Sequence, residues 1–284
     1  MRRGLIMEGG AMRGMFTCGV IDILMTHGIS FDGAIGVSAG AAFGCNYKSR
    51  QPGRAIRYNL RYCNDPRYCS VSSWLRTGDF YGADFCYRQL PFQLDPFDTE
   101  AFAENPMEFY TVSTDADTGR AVYHRCTTGR GEDMDYIRSS ASMPVLSRPV
   151  KIGSMRLLDG GCSDSIPVPY FESLGYDRNV VILTRPRDYV MKPKKQQPLI
   201  DAALLSYPAL RRALRERPQR YNEERAQIAE EEKYGKILAV YPDADLDIGR
   251  AEKNPEELKR VYELGRSTAV SRMEEIREFL GVQS

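Results

Sequence analysis

The stretch Gly36-Val37-Ser38-Ala39-Gly40 carries the clearest chemical signature in the sequence. Its G-x-S-x-G spacing is typical of a nucleophile elbow, in which a serine occupies a sharp turn between a buried strand and a helix. Gly36 and Gly40 leave room for the close backbone approach that such a turn requires. The following helix directs its first N–H groups, beginning with Ala39, toward an anion beside the serine. The motif therefore predicts acyl transfer through the Ser38 hydroxyl.

A second glycine-rich turn is the segment Glu8-Gly9-Gly10-Ala11-Met12-Arg13-Gly14. A turn of this kind between a strand and a helix presents backbone N–H groups to an anion. Dinucleotide binding would require glycine at position 11, which is alanine, and the next strand leads into the serine turn instead of ending in a ribose-binding acid. We therefore interpret the segment as an oxyanion hole. The residues assigned to oxyanion or substrate binding are Gly9, Gly10, Ala11, Met12, Arg13, Gly14 and Ala39.

An aspartate closes the apolar run Leu157-Leu158-Asp159 and is followed by two glycines. Polar residues at strand ends lie at the rim of a sheet, where the sites of α/β proteins form. By itself an Asp-Gly pair is more typical of a turn aspartate that binds its own backbone. In combination with the two glycine-rich turns, Asp159 becomes a candidate catalytic residue.

These three segments, in this order, resemble the patatin-like phospholipases. That family carries a G-G-x-R-G oxyanion loop, a G-x-S-x-G elbow and a D-G-G or D-G-A motif, which match residues 9–14, 36–40 and 159–161 here. The resemblance covers most of the chain, and residues 185–284 are similar to a C-terminal extension of one bacterial subgroup. One departure is Ala11, where many members have glycine. Alanine keeps the N–H group, so the loop should function unless the position requires a positive φ.

The resemblance implies a Ser38–Asp159 dyad that works without histidine. A serine hydroxyl needs an adjacent base, and burial beside apolar residues raises the pKa of a carboxylate and makes it a stronger base. The alternative is a Ser–His–Asp triad through His124, but that residue is predicted to lie in the middle of a strand. His27 ends a predicted helix next to Gly28, where its ring can face the last carbonyls. We therefore expect both histidines to be structural.

Several other residues received an interpretation from the sequence. A cation at Arg13 opposes the dipole of the following helix, and with the matching family arginine this favours a role near the oxyanion or a head group. The segment 243–247 lacks the glycine of a calcium loop, and no metal or other cofactor is expected.

The glutamates Glu223, Glu224, Glu230, Glu231 and Glu232 are expected to form a solvated helix face. Aromatic residues that either line an acyl-chain channel or pack in the core are Trp74, Phe80, Tyr81, Phe85, Tyr87, Phe92 and Phe97.

Composition narrows the class of protein. The formal net charge of +1 gives no reason to expect nucleic-acid binding. No apolar run reaches the roughly 18 residues of a membrane span, and the first apolar run is too short for a signal peptide. The seven cysteines are scattered without a C-x-x-C pair, so neither a zinc site nor a disulfide framework is indicated. A cytoplasmic location fits best.

Strands and helices alternate over the first two thirds of the chain, which predicts a three-layer α/β/α fold with a largely parallel central sheet. Residues 1–185 form the predicted catalytic core, and 186–284 a mostly helical extension packed on it. A connector rich in proline and lysine, expected to be exposed, joins the two. Predicted strands are 4–7, 34–37, 108–113, 120–126, 150–152, 155–158, 179–184 and 237–241. Predicted later helices are 199–214, 217–234 and 255–280.

The expected function is that of a serine lipid acyl hydrolase acting on phospholipids or lysophospholipids, a substrate class that comes from the resemblance. A carboxylesterase or thioesterase with the same dyad, and a non-catalytic lipid-binding module, stay open as alternatives. A lipid substrate leaves room for peripheral contact with a membrane surface. The sequence does not give the oligomeric state, the acyl-chain length or the head group.

Overall fold

The computed structural model describes residues 1–282, and its centre is an eight-stranded sheet. The strands are β1 (Arg2–Met7), β2 (Gly33–Val37), β3 (Glu108–Asp115), β4 (Ala121–Cys126), β5 (Val150–Ile152), β6 (Met155–Asp159), β7 (Tyr176–Ile182) and β8 (Ile237–Val240). Their order is β5-β6-β3-β2-β1-β7-β8, with β4 pairing to β3 off this path. The five strands from β3 to β8 in this order are parallel, whereas β4 and β6 run antiparallel to β3.

Helices connect the strands and cover the sheet. They are α1 (Gly14–Thr26), α2 (Ala39–Lys48), α3 (Arg54–Tyr62), α4 (Val71–Thr77), a π-helix (Phe85–Leu94), α5 (Thr99–Glu104), α6 (Glu132–Ser140), α7 (Val168–Ser173), α8 (Gln197–Ala203), α9 (Pro208–Lys233), α10 (Pro255–Ser271) and α11 (Met273–Leu280). Short 3₁₀ turns occupy Ala11–Arg13 and Gly160–Cys162. Within residues 1–282, every helix is too short or too polar to cross a membrane.

Alternating residues of the central strands face two separate apolar layers. Leu5 and Met7 of β1 belong to a core cluster formed with α1, α2, α3 and α10. Ile6, between them, belongs to a second cluster that includes residues of α7 and α9. Because side chains of a strand point alternately to its two faces, helices cover both sides of the sheet. The predicted three-layer α/β/α fold with a largely parallel sheet is therefore confirmed.

The C-terminal part of the chain contributes to both the sheet and a helical layer. Strand β8 pairs in parallel with β7, and α10 lies against α1. The two helices touch through glycines: a Cβ on Gly19 would lie 2.1 Å from the carbonyl oxygen of Tyr262, and one on Gly265 would lie 2.0 Å from that of Phe16. Any larger residue at either glycine would separate the helices.

The structure corrects the predicted division of the region after residue 196. The break between helices comes at residues 204–207, directly before Pro208, and α9 continues through Pro218. A proline in a helix removes a backbone hydrogen bond. The carbonyl affected is that of Leu214, four residues earlier. The Arg220 side chain donates to the neighbouring carbonyls of Ala213 and Cys162 at 3.0 and 2.8 Å and so joins this part of α9 to the turn after β6. The predicted helix 255–280 is likewise divided, at Arg272.

Candidate active site

Ser38 occupies a strained turn between β2 and α2. Its φ of 56° and ψ of −121° are unfavourable for a residue with a side chain, so the surrounding structure must impose them. A Cβ on Gly36 would lie 2.4 Å from the Gly40 carbonyl oxygen, and one on Gly40 would lie 2.2 Å from that of Met7. The glycines of the G-x-S-x-G motif are therefore required by close backbone contact, and the turn has the geometry that the sequence predicts.

The Ser38 hydroxyl donates a hydrogen bond to Asp159, with 2.6 Å between Oγ and Oδ2. The other carboxylate oxygen, Oδ1, accepts the Gly161 N–H at 2.8 Å. Asp159 is buried, and burial raises the pKa of its carboxyl above the ordinary value of 3.8, against the opposing effects of the Ser38 hydrogen bond and the Arg217 charge. A buried carboxylate with a raised pKa, in contact with a hydroxyl, is suited to act as a base.

The end of helix α6 holds both members of this pair. Ser140 Oγ accepts the backbone N–H of Ser38 at 2.9 Å, and the carbonyl of Ser142 accepts the N–H of Asp159 at 2.8 Å. The Ser38 N–H is therefore occupied and cannot serve an oxyanion. Ser140 is a positioning residue that the sequence did not reveal, since nothing in its local pattern points to a turn more than one hundred residues away.

The loop at residues 8–14 comes close to the serine. A Cβ on Gly9 would lie 2.7 Å from Ser38 Cβ, so only glycine allows this approach. Ala11 has a φ of 50°, in the left-handed region that disfavours alanine by roughly 1–2 kcal/mol. Position 11 therefore requires a positive φ, which is the case in which alanine was expected to impair the loop. The loop nevertheless adopts the turn. We attribute this to Glu8, whose carboxylate anchors the start of the loop.

Glu8 is buried and fully engaged. Its Oε2 accepts the backbone N–H and the hydroxyl of Thr184 at 2.6 and 3.1 Å, and its Oε1 accepts the Tyr221 hydroxyl at 2.7 Å. The Thr184 hydroxyl oxygen also lies 3.1 Å from the carbonyl oxygen of Gly9, so its one proton has two acceptors within reach. These contacts tie the loop to β7 and to helix α9, so the C-terminal part of the chain supports the candidate site.

Backbone N–H groups remain available at both turns. The first hydrogen bond inside the 3₁₀ turn comes from Arg13 at 3.2 Å, and the first inside α2 comes from Ala41 at 3.0 Å. Residues before these positions cannot bond within their own helix. In the part of the chain that the structure describes, the N–H groups of Gly10, Ala11, Met12 and Ala39 thus have no helical partner, as an oxyanion hole requires.

Two cavities meet at Ser38, and the predicted site residues divide between them. Gly9, Gly10, Arg13 and Asp159 line the larger one, Met12 and Ala39 line the smaller one, and Ala11 and Ser38 line both. Gly14, Gly36 and Gly40 line neither. A Cβ on Gly14 would lie 2.9 Å from Ala39 Cβ and from the Phe43 ring, so Gly14 serves to bring α1 against α2.

The smaller cavity is narrow and apolar, with a volume of about 90 Å³. Of the seven aromatic residues proposed from the sequence, Tyr81, Tyr87 and Phe97 line it, and Trp74, Phe80, Phe85 and Phe92 do not. Each of the two alternatives given for these aromatic residues therefore holds for some of them: three line the cavity and four do not. Leu90, Met134 and Ile137 complete an apolar wall of the kind that accommodates an alkyl chain.

The larger cavity is open and basic, with a volume of about 900 Å³. Arg13 lies in it; its Nε has no hydrogen-bond partner among residues 1–282, and burial, followed by the nearby Arg185 charge, lowers its pKa. Lys194, Arg217 and Arg250 also line the cavity. The expectation that the lysine connector is simply exposed is wrong at Lys194, which is half-buried in the cavity wall. These three residues were missed because they lie far from the motifs in sequence.

Both histidines lie away from the serine and line neither cavity. His27 Nδ1 lies 2.9 Å from the carbonyl oxygen of Ile23 at the end of α1. His124 stacks on Tyr136 at 3.7 Å, and its Nε2 lies 2.7 Å from Asp133 Oδ1. A triad through His124 therefore has no support from the geometry.

One group of side chains has the atom types of a metal site: His124, Cys126 and Asp133, with ligand atoms within 4.8 Å of one another. Asp133 Oδ2, however, already accepts the N–H groups of Thr127 and Thr128 at 2.9 and 2.7 Å and that of Gly129 at 3.1 Å. A carboxylate oxygen that already accepts three backbone N–H groups caps a turn and is not free to bind a metal. We interpret the group as a structural anchor between β4 and α6.

Comparison with known proteins agrees with the motifs. The family model of the patatin-like phospholipases matches residues 5–172, and a domain of unknown function (DUF6363) matches residues 207–281. The crystal structure of VipD from Legionella pneumophila aligns with a TM-score of 0.49 at 12% identity, covering 96% of this chain and 67% of that one.

Two curated relatives show the extent of the similarity. The uncharacterized protein YjjU of Escherichia coli K12 is 32% identical over 203 residues, which is 68% of this chain and 55% of YjjU. Lysophospholipase nte1 of Emericella nidulans is 31% identical over 185 residues, or 61% of this chain and 11% of that protein. The chain thus spans about half of the first relative and about a tenth of the second. Because the family model covers more than half of its residues, the chain belongs to the patatin-like phospholipase family.

Proposed function

We propose that the protein is a serine hydrolase that cleaves the carboxylic esters of phospholipids or lysophospholipids. The observation that carries the proposal is the 2.6 Å hydrogen bond from Ser38 to the buried Asp159. Membership of the patatin-like phospholipase family and the similarity to fungal lysophospholipases support a lipid ester as the substrate.

In the proposed reaction, Ser38 Oγ attacks the ester carbonyl and Asp159 takes its proton. The N–H groups of Gly10, Ala11 and Ala39 stabilise the developing oxyanion; loss of one such donor typically costs about a hundredfold in rate or more. Asp159 returns the proton to the leaving alcohol, and an acyl-enzyme remains. Asp159 then takes a proton from a water molecule, whose oxygen attacks the acyl carbonyl. The bond from that carbon to Ser38 Oγ breaks, Asp159 returns the proton to Ser38, and the fatty acid is released.

The two cavities suggest how the substrate lies. The apolar cavity that includes Tyr87 and Phe97 accommodates the acyl chain, and the alcohol part of the ester extends into the open basic cavity. We also propose that the C-terminal region and the catalytic core form one structural unit. Tyr221 bonds to Glu8 of the core, and β8 extends the central sheet. A cytoplasmic location is also proposed, since all seven cysteines are free thiols.

The test is labelling with a fluorophosphonate, followed by mass spectrometry, and release of fatty acid from a panel of phospholipids, lysophospholipids, simple esters and thioesters. Label is expected on Ser38, and Ser38→Ala should lower hydrolysis by at least about a thousandfold without unfolding the protein. Ser173→Ala, at an exposed serine outside both cavities, is the matched control. Preference for simple esters or thioesters would contradict the lipid assignment, and full activity of Ser38→Ala would contradict the mechanism.

A further inference from the structure

The basic cavity contains cations that the proposed hydrolysis does not use. Lys194, Arg217 and Arg250 line it together with Ser38 and Asp159, and all three lie beyond the 5–172 segment that matches the family. Arg217 reaches the turn that follows Asp159: its Nη2 lies 3.3 Å from the place where a Cβ on Gly161 would stand. The C-terminal region therefore places positive charge next to the reacting ester.

Within residues 1–282, these three cations form no direct ion pair with a carboxylate, in contrast to others around the cavity. Arg185 pairs with Asp245 and Arg215 pairs with Asp201. The buried Nε of Arg217, in comparison, has no hydrogen-bond partner in the described chain. Burial lowers the pKa of Lys194, and the neighbouring charges of Arg217 and Arg250 lower it further.

Two carboxylates, Glu8 and Asp159, line the cavity, and neither forms an ion pair with the three cations, although the Asp159 charge acts on Arg217 and Lys194. Glu8 is held by Thr184 and Tyr221, and Asp159 by Ser38 and Gly161. Cations that repel one another beside a nucleophile are well suited to binding an anionic ligand. Guanidinium groups match the several oxygens of a phosphoryl group especially well, because they can donate two parallel hydrogen bonds.

We propose that Lys194, Arg217 and Arg250 form a binding site for the phosphoryl group of the substrate, on the leaving-group side of the ester. Ser38 lies between the apolar cavity and this basic one, so an acyl ester that places its chain in the first directs its alcohol into the second. The site makes the protein selective for phosphate-bearing lipids over neutral esters with the same acyl chain. This inference rests on the proposed hydrolase function.

The test compares kcat/KM for lysophosphatidic acid and for a monoacylglycerol with the same acyl chain. Lys194→Gln and Arg250→Gln should each lower the ratio of the two values by about tenfold, the usual effect of losing one hydrogen bond to a charged group. The ratio cancels effects on Asp159, because both esters pass through the same chemical step. The matched controls Lys195→Gln and Arg212→Gln, at exposed cations outside the cavity, should leave it unchanged.

A second experiment, with inorganic phosphate, tests whether the site binds the phosphoryl group of the lipid or only free phosphate. It should compete with the phosphate-bearing substrate, and calorimetry on Ser38→Ala protein should show binding that Arg250→Gln weakens. An unchanged ratio in folded variants overturns the inference, even where free phosphate binds. Absence of Ser38-dependent hydrolysis of both esters would instead contradict the proposed function, so the two failures are distinguishable.

Discussion

Ser38 and Asp159 lie at the same level of the sheet on opposite sides of strand β3, with 2.6 Å between Oγ and Oδ2. Val37, directly before the serine, pairs with Val112, and Asp159 pairs with the next residue of β3, Ser113. Because β6 runs antiparallel to β3, its last residue returns to the level of the serine turn. This register brings together two side chains that are 121 positions apart in the sequence.

Replacement of Asp159 by asparagine should abolish activity nearly as completely as the loss of Ser38. Asparagine has almost the same shape and can keep hydrogen bonds to Ser38 and Gly161, but it cannot accept a proton. Residues that act as one unit are not additive, so the double variant Ser38→Ala/Asp159→Asn should be little worse than either single variant. Hydrolysis of one lysophospholipid by all three folded proteins provides the measurement. Robust activity of Asp159→Asn would place the base elsewhere.

The pH profile gives an independent test of Asp159. Its ionised form is the base, so kcat/KM should fall as the pH decreases through its pKa, which burial raises above 3.8. This decrease on the acid side of the profile, the acid limb, should therefore have its midpoint above pH 3.8 in the wild type. The residual activity of Asp159→Asn should show no acid limb. A limb that persists in the variant would belong to another group.

Ser140 is expected to act by positioning the nucleophile. Ser140→Ala removes the acceptor of the Ser38 N–H, which should lower the free energy of unfolding by about 1–3 kcal/mol. The serine turn is then held less firmly, so we expect kcat to fall by about tenfold or more. Ser139→Ala is a matched control, because Ser139 is equally buried but bonds to Ser113 instead. Both variants should lose stability, and only Ser140→Ala should lose kcat while KM and the acid limb stay unchanged. An equal effect on kcat would reduce Ser140 to a packing role.

His124→Ala should keep its catalytic rate. Its ring contacts Tyr136 and Asp133, so its loss should lower the free energy of unfolding by about 1 kcal/mol. Activity per folded molecule, with folding followed by thermal denaturation, should match that of wild type and of His27→Ala. A collapse of kcat in folded His124→Ala protein would revive the histidine triad.

The sequence predicted the parts of the site that depend on local backbone geometry. The elbow around Ser38 and the loop at residues 8–14 could be recognised because close backbone contact restricts those positions to glycine and small residues. Asp159 could be recognised because it ends a strand. The rule that sites form at the carboxyl ends of parallel strands did not apply to it, however, since β6 is antiparallel to β3. The reason for its position is the antiparallel register of β6.

The sequence did not predict the contacts that tertiary structure alone creates. Ser140, Lys194 and Arg217 show no local pattern, since their roles depend on which element lies beside which. Pro218 misled the helix assignment because one proline removes a single backbone hydrogen bond, and α9 continues through it. The sequence also placed Glu224 on a solvated helix face, whereas it packs beside Ser165.

Glu224 should make stability depend on pH. Burial, with the nearby Asp164, raises its pKa from 4.5 to about 8. Between these values the folded protein holds a proton that the unfolded chain has released, so the free energy of unfolding falls as pH rises. Glu224→Gln stays neutral, and its advantage in Tm over wild type should grow from near zero at pH 4.5 to at least about 2 °C at pH 8.5. Glu223→Gln, exposed on the same helix, should show no such trend, and an advantage independent of pH would mean that Glu224 is ionised in the folded protein.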